Sequence, residues 1–516
     1  MSLSKKIIIL IFLLCLIVFA LIFSLKNSQK PLNNQRNSAE LGLQQVECWL
    51  PLKEGWPRLD CYRMYVPEDH EKANSRIIHF PVMVFHTESA KPHRAPVLHL
   101  GGGGPGGGMY LDNAYSVQSI INDHDDISLK QGRDLVVIDP RGAGLSEPLL
   151  NCGRFVDSEI ERLQKDLSLK EELFLQDQDY VGCIQDSAKR NIDLTAYNSI
   201  SVIQDMELLR KALDKQQWVL IGVSYGAVYA QLLANKYPDV VQSMVLDSAA
   251  FPDLKLQHEF LARLLSPYEA LYDYCDRSLF CREGMPNVKE RLWNIVEKLD
   301  KKPHQIPLVY QDQGEEKSLE LVLNGHRFIA ILAYAVYYGE KIYEDLPDII
   351  TTLEEDKPRI DFSFNRYATN YVDFMVDRGF ADLSMFSHYC YDDKSFVDID
   401  YIKQQLQNLP NQLLRDAAAY LVDNHESCEL LAERTVDPLV NSVLKTDIPT
   451  LFLQGELDIV TPPKDAQSHL ANFTQGHLVM VEYSHSVLQV APCAELMAAK
   501  FVNDPSISGA SLTCER

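Results

Sequence analysis

The chain has 516 residues, 46% of them hydrophobic, and a formal net charge of −23. This hydrophobic content is that of a globular protein, and the length allows one large domain with an insertion or two to three ordinary domains. The acidic balance argues against nucleic acid or an anionic membrane surface as a partner, because both would repel the chain.

The N-terminal segment is predicted to lie apart from the globular fold. Lys5 and Lys6 precede an unbroken apolar run at 7–25, and Lys26 closes it. At about 1.5 Å per residue, a helix of this run spans roughly the hydrocarbon core of a bilayer. We favour an uncleaved membrane anchor over a cleaved signal peptide, because no A-x-A-like cleavage site is present. Residues 1–44 are thus assigned to an anchor or signal and a polar tether, with the rest of the chain exported to the periplasm or the extracellular space.

Cysteine usage agrees with export. Of the 11 cysteines only Cys15 lies in the apolar run, and the remaining ten show neither a C-x-x-C motif nor zinc-ligand spacing. Cysteines of an exported chain are expected to form disulfides, although sequence does not fix their connectivity. The simplest arrangement joins neighbours along the chain: Cys48–Cys61, Cys152–Cys183, Cys275–Cys281, Cys390–Cys428 and Cys493–Cys514.

A glycine-rich loop follows the second of two predicted strands, Ile77–Phe85 and Pro96–Leu100. The loop, GGGGPGGG at Gly101–Gly108, contains a literal G-x-G-x-x-G and so raises a dinucleotide-binding alternative. Pro105 lies inside that motif, no clean amphipathic helix follows, and no acid ends a second strand about twenty residues on. We therefore expect the loop to offer backbone N–H groups to an oxyanion, and we predict no cofactor.

The clearest motif is a strand, a tight turn and a helix. Trp218–Ile221 forms an apolar run, Gly222-Val223-Ser224-Tyr225-Gly226 forms the turn, and an Ala/Leu-rich helical pattern follows. G-x-S-x-G in this setting is typical of a nucleophile elbow, in which the serine hydroxyl stands above the sheet at a helix N-terminus.

Strands that alternate with helices on either side of this turn predict a parallel α/β sheet. Between about 251 and 440 the alternation gives way to long helical patterns rich in aromatic residues, which predict a lid inserted between two parts of the core. The core is assigned to 45–250 and 441–516. The remaining predicted strands are Asp134–Asp139, Met244–Leu246, Pro449–Gln454 and His477–Val481.

Three reactive groups stand in the order Ser224, Asp458, His485, each just beyond a predicted strand. This is the order of the acyl-transfer triad in α/β-hydrolases. His485 would take the serine proton, and Asp458 would fix the imidazole tautomer and stabilise its cation. Glu456 is the rival acid and His477 the rival base. No EF-hand spacing or other metal motif is found, so no metal is predicted.

These motifs resemble the exported tripeptidyl aminopeptidase branch of the proline iminopeptidase-like α/β-hydrolases. The similar segments, from about Cys48 onward, include GGGGPGGG, DLVVIDPRGAGLSEP, IGVSYGA, GELDIVTPP and YSHSVL. The resemblance places the catalytic acid on Asp458 and the base on His485, and it implies an oxyanion hole from the amides of Tyr225 and Gly103. One departure is Ser486, where the family usually has glycine.

The resulting prediction is an α/β-hydrolase fold with a mostly parallel sheet and an inserted helical lid. The chain is expected to be a serine aminopeptidase that acts on free N-termini of peptides outside the cytoplasm. Alternatives are an esterase or lipase with the same triad, and an inactive binding protein on this fold. Expected partners are peptide substrates and, through an uncleaved N-terminal segment, a membrane, but no nucleic acid; the oligomeric state is not predicted.

Overall fold

The computed structural model describes residues 41–88, 94–339, 341–355 and 362–514. The predicted anchor at 7–25 lies outside these residues. Among the helices of the described ranges, none has the length and apolar character needed to cross a membrane. The described residues belong to one structural unit that begins at Leu41.

A central sheet organises the described part of the chain. Its nine strands lie in the order β1-β2-β3-β5-β4-β6-β7-β10-β11, and the remaining two, β8 and β9, form a separate hairpin. The strands are β1 (Gly42–Val46), β2 (Leu59–Pro67), β3 (Ile77–Phe85), β4 (Val97–Leu100), β5 (Leu135–Ile138), β6 (Trp218–Val223), β7 (Val241–Asp247), β8 (His304–Asp312), β9 (Glu315–Leu323), β10 (Thr450–Gly455) and β11 (Gly476–Val481).

Pairing in the sheet is antiparallel from β1 to β5 and parallel from β5 to β11. The strands β4, β5, β6 and β10 are buried at every residue, which explains their continuous apolar sequences. All parallel strands end at the same edge, so the loops after them converge there. The predicted α/β-hydrolase fold with a mostly parallel sheet is confirmed.

Helices cover both faces of the sheet and fill the insertion. They are α1 (Ala114–His124), α2 (Gly153–Arg162), α3 (Leu169–Lys189), α4 (Ser199–Ala212), α5 (Gly226–Lys236), α6 (Leu256–Arg277), α7 (Leu279–Gly284), α8 (Val288–Lys301), α9 (Gly325–Tyr338), α10 (Lys341–Glu354), α11 (Phe362–Met375), α12 (Asp382–His388), α13 (Ile399–Leu406), α14 (Gln412–Ser427), α15 (Pro463–His469) and α16 (Pro492–Asn503). Apolar residues of α1 and α16 pack on one face of the sheet, and those of α4 and α5 pack on the other.

The insertion between β7 and β10 carries α6 to α14 and is not wholly helical. It also contains the β8–β9 hairpin, which packs against α11. Gln313 and Gly314 form the hairpin turn, both with positive φ (53° and 78°), as a type I′ turn requires. The expectation of a helical lid therefore needs the addition of this hairpin.

Two further features differ from the sequence-based assignment. β1 begins at Gly42, inside the segment assigned to a polar tether, because an edge strand needs only one partner and little apolar sequence. Between β5 and α4, the helices α2 and α3 run out from the core and meet α9 of the insertion. There Glu172 accepts buried hydrogen bonds from His326 and Arg327.

Five disulfides cross-link the described chain, and they are the five neighbour pairs listed from the sequence. The S–S distances lie between 1.94 and 2.09 Å. Cys152–Cys183 ties α2 to α3, and Cys390–Cys428 ties a short π-helical turn at Tyr389–Asp393 to the end of α14. Both of these bridges hold elements outside the central sheet.

Candidate active site

Ser224 lies in the turn between β6 and α5 with a left-handed backbone, φ 52°. The two flanking glycines are required by close backbone contacts. A Cβ at Gly222 would lie 2.8 Å from the Ala227 Cα atom, and one at Gly226 would lie 2.1 Å from the Leu100 carbonyl oxygen. The turn needs glycine on both sides of the serine because α5 begins in close contact with the backbone at Leu100.

The glycine-rich loop approaches the serine at Gly102. A Cβ on Gly102 would lie 3.1 Å from the Ser224 Cβ atom, whereas one on Gly103 would meet Gly107. Gly103 has φ 87° and precedes a short 3₁₀ turn at Gly104–Gly106. The sequence analysis singled out Gly103, and the structure adds Gly102 as the glycine that contacts the serine.

Asp139 fixes the position of this loop. It is fully buried at the end of β5 and accepts hydrogen bonds from the amides of Met109, 2.5 Å, and Leu145, 2.9 Å. Burial raises the pKa of Asp139 to about 6. Its carboxyl therefore joins the end of the glycine-rich loop to the turn that follows β5.

Asp458 and His485 meet at the strand ends of β10 and β11. The His485 Nδ1 atom lies 2.8 Å from Asp458 Oδ2, and the histidine side chain is 4% exposed. Thr461 donates its amide to Asp458 Oδ1 at 2.9 Å, and its hydroxyl lies 2.7 Å from Oδ2. Since an ionised carboxylate only accepts, Nδ1 carries the proton and Nε2 of the neutral ring is left as an acceptor.

Electrostatics keep Asp458 ionised. Burial alone would raise its pKa, but the hydrogen bond and charge of His485 and the two donors of Thr461 outweigh burial and lower the pKa below its ordinary value. A permanently charged Asp458 can stabilise an imidazolium on its partner.

The loop that carries the histidine is held by the end of β7. Asp247 accepts the amides of Val487 and Leu488, both at 3.0 Å, and the Ser248 hydroxyl accepts the amide of Ser486 at 2.8 Å. Ser486 has φ 63°, in the left-handed region, which explains why glycine is usual there in the resembling family. Sequence reasoning missed Asp247 and Ser248, because only the sheet order brings β7 next to β10.

The Nε2 side of the histidine is buried. Among the described residues, its buried Nε2 atom has no hydrogen-bond partner, and no hydrogen bond joins it to Ser224. The Tyr337 ring of α9 lies 5.3 Å from the imidazole, so the insertion covers this side of the site. Hydrogen bonds between nucleophile and base are often long in unliganded enzymes and tighten on substrate binding.

The rival residues lie elsewhere. Glu456 is an exposed residue after β10, and His477 stands on β11 with its ring 6.5 Å from Phe501 of α16. Of the candidate acids and bases, the structure brings together Asp458 and His485.

A polar network lies behind Tyr225, the residue after the serine. The Tyr225 hydroxyl is 3.3 Å from the Ser199 hydroxyl, and the Ser199 amide donates to Asp392 at 2.9 Å. Lys255 donates to the neighbouring Asp393 at 3.0 Å. Sequence offered no signal for this network, since its members come from α4, α5 and the π-helical turn. In the described ranges, no group of acidic, histidine and cysteine side chains has the arrangement of a metal site.

A serine on a strand–turn–helix and an acid–histidine pair at neighbouring strand ends define the class of α/β-hydrolases. Comparison with known families agrees. Residues 97–273 match the family described as alpha/beta hydrolase fold, and residues 414–514 match the family described as TAP-like protein. Together the two matches cover more than half of the chain, which belongs to the TAP-like α/β-hydrolases.

Individual relatives are distant. The serine protease Hip1 of Mycobacterium tuberculosis is 24% identical over 225 residues, 42% of each chain. Carboxylesterase B of the same species is 28% identical over 263 residues, 47% of each. The chain thus matches less than half the length of these relatives. A solved structure titled as proline iminopeptidase of Mycobacterium smegmatis aligns over 86% of this chain and 98% of its own, with TM-score 0.39 and 13% identity.

Proposed function

We propose that the protein is a serine aminopeptidase that works through Ser224, His485 and Asp458. The observation that carries the proposal is the buried Asp458–His485 hydrogen bond with Nε2 left as an acceptor, at the same edge of the sheet as the elbow that carries Ser224. Membership in the TAP-like α/β-hydrolases supports a serine hydrolase.

The chemistry follows in two halves. Ser224 Oγ attacks the carbonyl carbon while His485 Nε2 accepts the hydroxyl proton, and the carbonyl electrons move onto oxygen. The amides of Tyr225 and the Gly102–Gly103 segment donate to that oxyanion. When the intermediate collapses, His485 gives its proton to the leaving amine and an acyl-serine remains. Water then attacks the acyl-serine by the same route, with His485 as base, and releases the acid and free Ser224.

The aminopeptidase assignment is the finer part of the proposal. It is supported by the resemblance of the motifs and by the serine protease Hip1 among the relatives. An aminopeptidase must hold the substrate's α-ammonium group near the serine, and a partly buried ammonium needs a carboxylate partner. The sequence alone singles out no particular acid for that role.

Blocking the substrate amine tests the assignment. Removing the ammonium leaves its carboxylate unpaired, which should cost about 2–5 kcal/mol in the transition state. An N-acetylated peptide should therefore be cleaved at least tens of times more slowly than the free peptide, compared as kcat/KM. Equal values would remove the aminopeptidase assignment and leave an endopeptidase or esterase.

An esterase is the second candidate, favoured by the relative named Carboxylesterase B. The same triad would serve, and only the leaving group would differ. Cleavage of p-nitrophenyl acyl esters without cleavage of any free peptide amide would select this candidate.

Export is proposed from the lysine-flanked apolar run and the five disulfides. Disulfides persist in oxidising compartments such as the periplasm or the extracellular space. Fractionation of cells that produce the full chain, with protease accessibility of the catalytic domain, checks the location and shows whether the N-terminal segment is retained.

A further inference from the structure

A cavity of about 220 Å³ opens next to the candidate oxyanion site. Its lining includes Tyr225, which directly follows the nucleophile, and Gly104 and Pro105 of the glycine-rich loop. The oxyanion donors contact the carbonyl oxygen of the acyl part of a substrate. A cavity lined by Tyr225 and by Gly104, the residue after Gly103, therefore lies close to the expected position of that acyl part.

The wall of the cavity is largely apolar. Its residues come from α3, α12, the π-helical turn and the segment after α14; they are Val181, Ile184, Met385, Phe386, Tyr389 and Leu430. An engineered apolar cavity of roughly 150 Å³ binds benzene, so this cavity has room for one large aliphatic or aromatic side chain.

The charged groups at the cavity are acidic. Asp177, Asp382 and Asp393 line it, and none of its described lining residues is a lysine or arginine. Lys255 offsets Asp393 through the 3.0 Å ion pair. Asp382 accepts the amide of Cys152 at 3.0 Å, and Asp177 Oδ1 lies 3.3 Å from the Ser427 hydroxyl. Burial raises the pKa of Asp382 to about 6, so most of this carboxyl is ionised at neutral pH. Among the described residues of the lining no cation balances Asp177 and Asp382, so an acidic substrate side chain would be repelled.

The remaining titratable groups of the lining do not offset its negative charge. His388 lines the cavity, but burial lowers its pKa to about 4, so it is neutral at neutral pH. Its Nδ1 donates to the Ser384 carbonyl, and its Nε2 lies 3.2 Å from the Tyr229 hydroxyl. Tyr180, Tyr225 and Tyr389 add phenol groups that are uncharged at that pH.

We propose that this cavity is the specificity subsite for the residue on the acyl side of the cleaved bond, that it takes large apolar side chains, and that it excludes acidic ones. The proposal rests on the proposed function, because it assigns a substrate preference to the same reaction. Three segments distant in sequence build the wall of the subsite: α3, α12 with the π-helical turn, and the segment after α14. The Cys390–Cys428 disulfide ties the second of them to the third.

The parent enzyme gives the first test. Free-N-terminal p-nitroanilides of one, two and three residues would vary the residue beside the cleaved bond among Gly, Leu, Phe and Asp. We expect kcat/KM for Leu and Phe to exceed that for Gly and Asp at least tenfold. A preference for Asp or Gly would overturn the subsite without a variant being needed.

A filling substitution gives the second test. Val181 is half-buried on α3 and lines the cavity, so Val181→Trp should lower kcat/KM for Leu and Phe at least tenfold and change that for Gly less than threefold. Gln178→Trp, an exposed position on the same helix, is the matched control and should change none of them. An equal loss for all substrates, with unchanged labelling of Ser224 by an organophosphonate, would reject the subsite.

Ester substrates separate this proposal from the proposed function. If peptides are not cleaved but p-nitrophenyl esters are, the aminopeptidase fails; the subsite then still predicts faster cleavage of a 4-methylpentanoate than of an acetate, and Val181→Trp should abolish the difference. If peptides are cleaved without regard to side-chain size, the subsite fails and the aminopeptidase stands.

Asp177 tests the acidic exclusion separately. Asp177→Asn keeps an oxygen for the Ser427 contact and removes one charge from the lining. The ratio of kcat/KM for Asp to that for Leu should rise at least fivefold. An unchanged ratio would show that charge does not determine the preference and would overturn this part of the proposal.

Discussion

Ser224 combines a left-handed backbone with burial at the end of β6, as expected of the serine of a nucleophile elbow. We predict that Ser224→Ala lowers kcat by about 10⁴-fold or more, because the covalent route is lost while binding and the oxyanion donors remain. Circular dichroism and thermal unfolding would show that the fold persists.

The role of Asp458 as the acid of the proposed triad can be tested by comparison with Glu456. Asp458→Asn should be similarly inactive, whereas Glu456→Gln should retain parent activity, since Glu456 is exposed and the histidine bonds to Asp458. A silent Asp458→Asn together with an inactive Glu456→Gln would assign the role to Glu456.

The buried carboxyl of Asp247 should make the free energy of unfolding depend on pH. Burial raises its pKa to about 6, so the folded state holds a proton that the unfolded state releases near pH 4. The stability due to the neutral form is fully present below about pH 4 and is lost as pH rises to about 6. Asp247→Asn stays neutral, so its free energy of unfolding relative to the parent should rise by up to about 3 kcal/mol between pH 4 and 7.

Urea unfolding at pH 4, 5, 6 and 7 measures this difference. Asp239→Asn, at an exposed aspartate after α5, is the control and should show no such trend. A difference between Asp247→Asn and the parent that is flat across this range would contradict a raised pKa.

At the scale of elements, the junction of β6 and α5 leaves no room for a side chain at its glycine. Gly226 is the first residue of α5, and its absent side chain leaves room for the Leu100 carbonyl. Gly226→Ala forces an overlap with backbone, which should destabilise the protein by about 3 kcal/mol or more and displace the glycine-rich loop.

Gly153, the first residue of α2, provides the matched control. A Cβ there meets nothing within 4 Å, so Gly153→Ala should stabilise the protein by about 0.5–1 kcal/mol. Chemical denaturation of both variants tests the pair. Equal changes in the free energy of unfolding for the two variants would mean that the position in the helix, and not the contact at Leu100, determines the change.

The same scale shows what sequence could and could not predict. The strands that precede Ser224, Asp458 and His485 are apolar runs, and their ends were located to within a residue or two. The β8–β9 hairpin was missed although β8 alternates buried and exposed residues and a Gln-Gly pair follows it. That short period-2 signal lay between long helical patterns, which dominated the interpretation of the insertion.

Contacts between distant segments could not be predicted. Asp247 and Ser248 support the histidine loop only because β7 and β10 are neighbours, and sheet order is not encoded in local patterns. The cavity wall combines residues of α3 and α12, two helices far apart in sequence, so local patterns could not predict it either. Disulfides between neighbouring cysteines were easier to predict, since each joins segments that are already close along the chain.

For the whole molecule, the disulfides should contribute unequally. In the loop-entropy description, a bridge is worth more when it closes a longer loop. Cys390–Cys428 spans 38 residues and Cys275–Cys281 spans 6, so replacing the first pair by alanine should cost about 4 kcal/mol and the second about 2 kcal/mol.

Thermal unfolding of the two double-alanine variants measures the order. Mass spectrometry of the non-reduced protein should first find all five bridges. Ten free thiols in the protein would remove both this prediction and the support that the bridges give to the proposed export.

The position of β10 next to β7 has a consequence for biosynthesis. About 200 residues separate the two strands, so at 5–20 residues per second a nascent chain waits roughly 10–40 s before β10 exists to cover β7. During that time β7, whose sequence is almost wholly buried in the finished fold, presents an unpaired apolar edge. We expect a chain truncated before Thr450 to aggregate in light-scattering assays where the full chain does not. Hydrolysis also has to wait, because Asp458 and His485 follow that same strand.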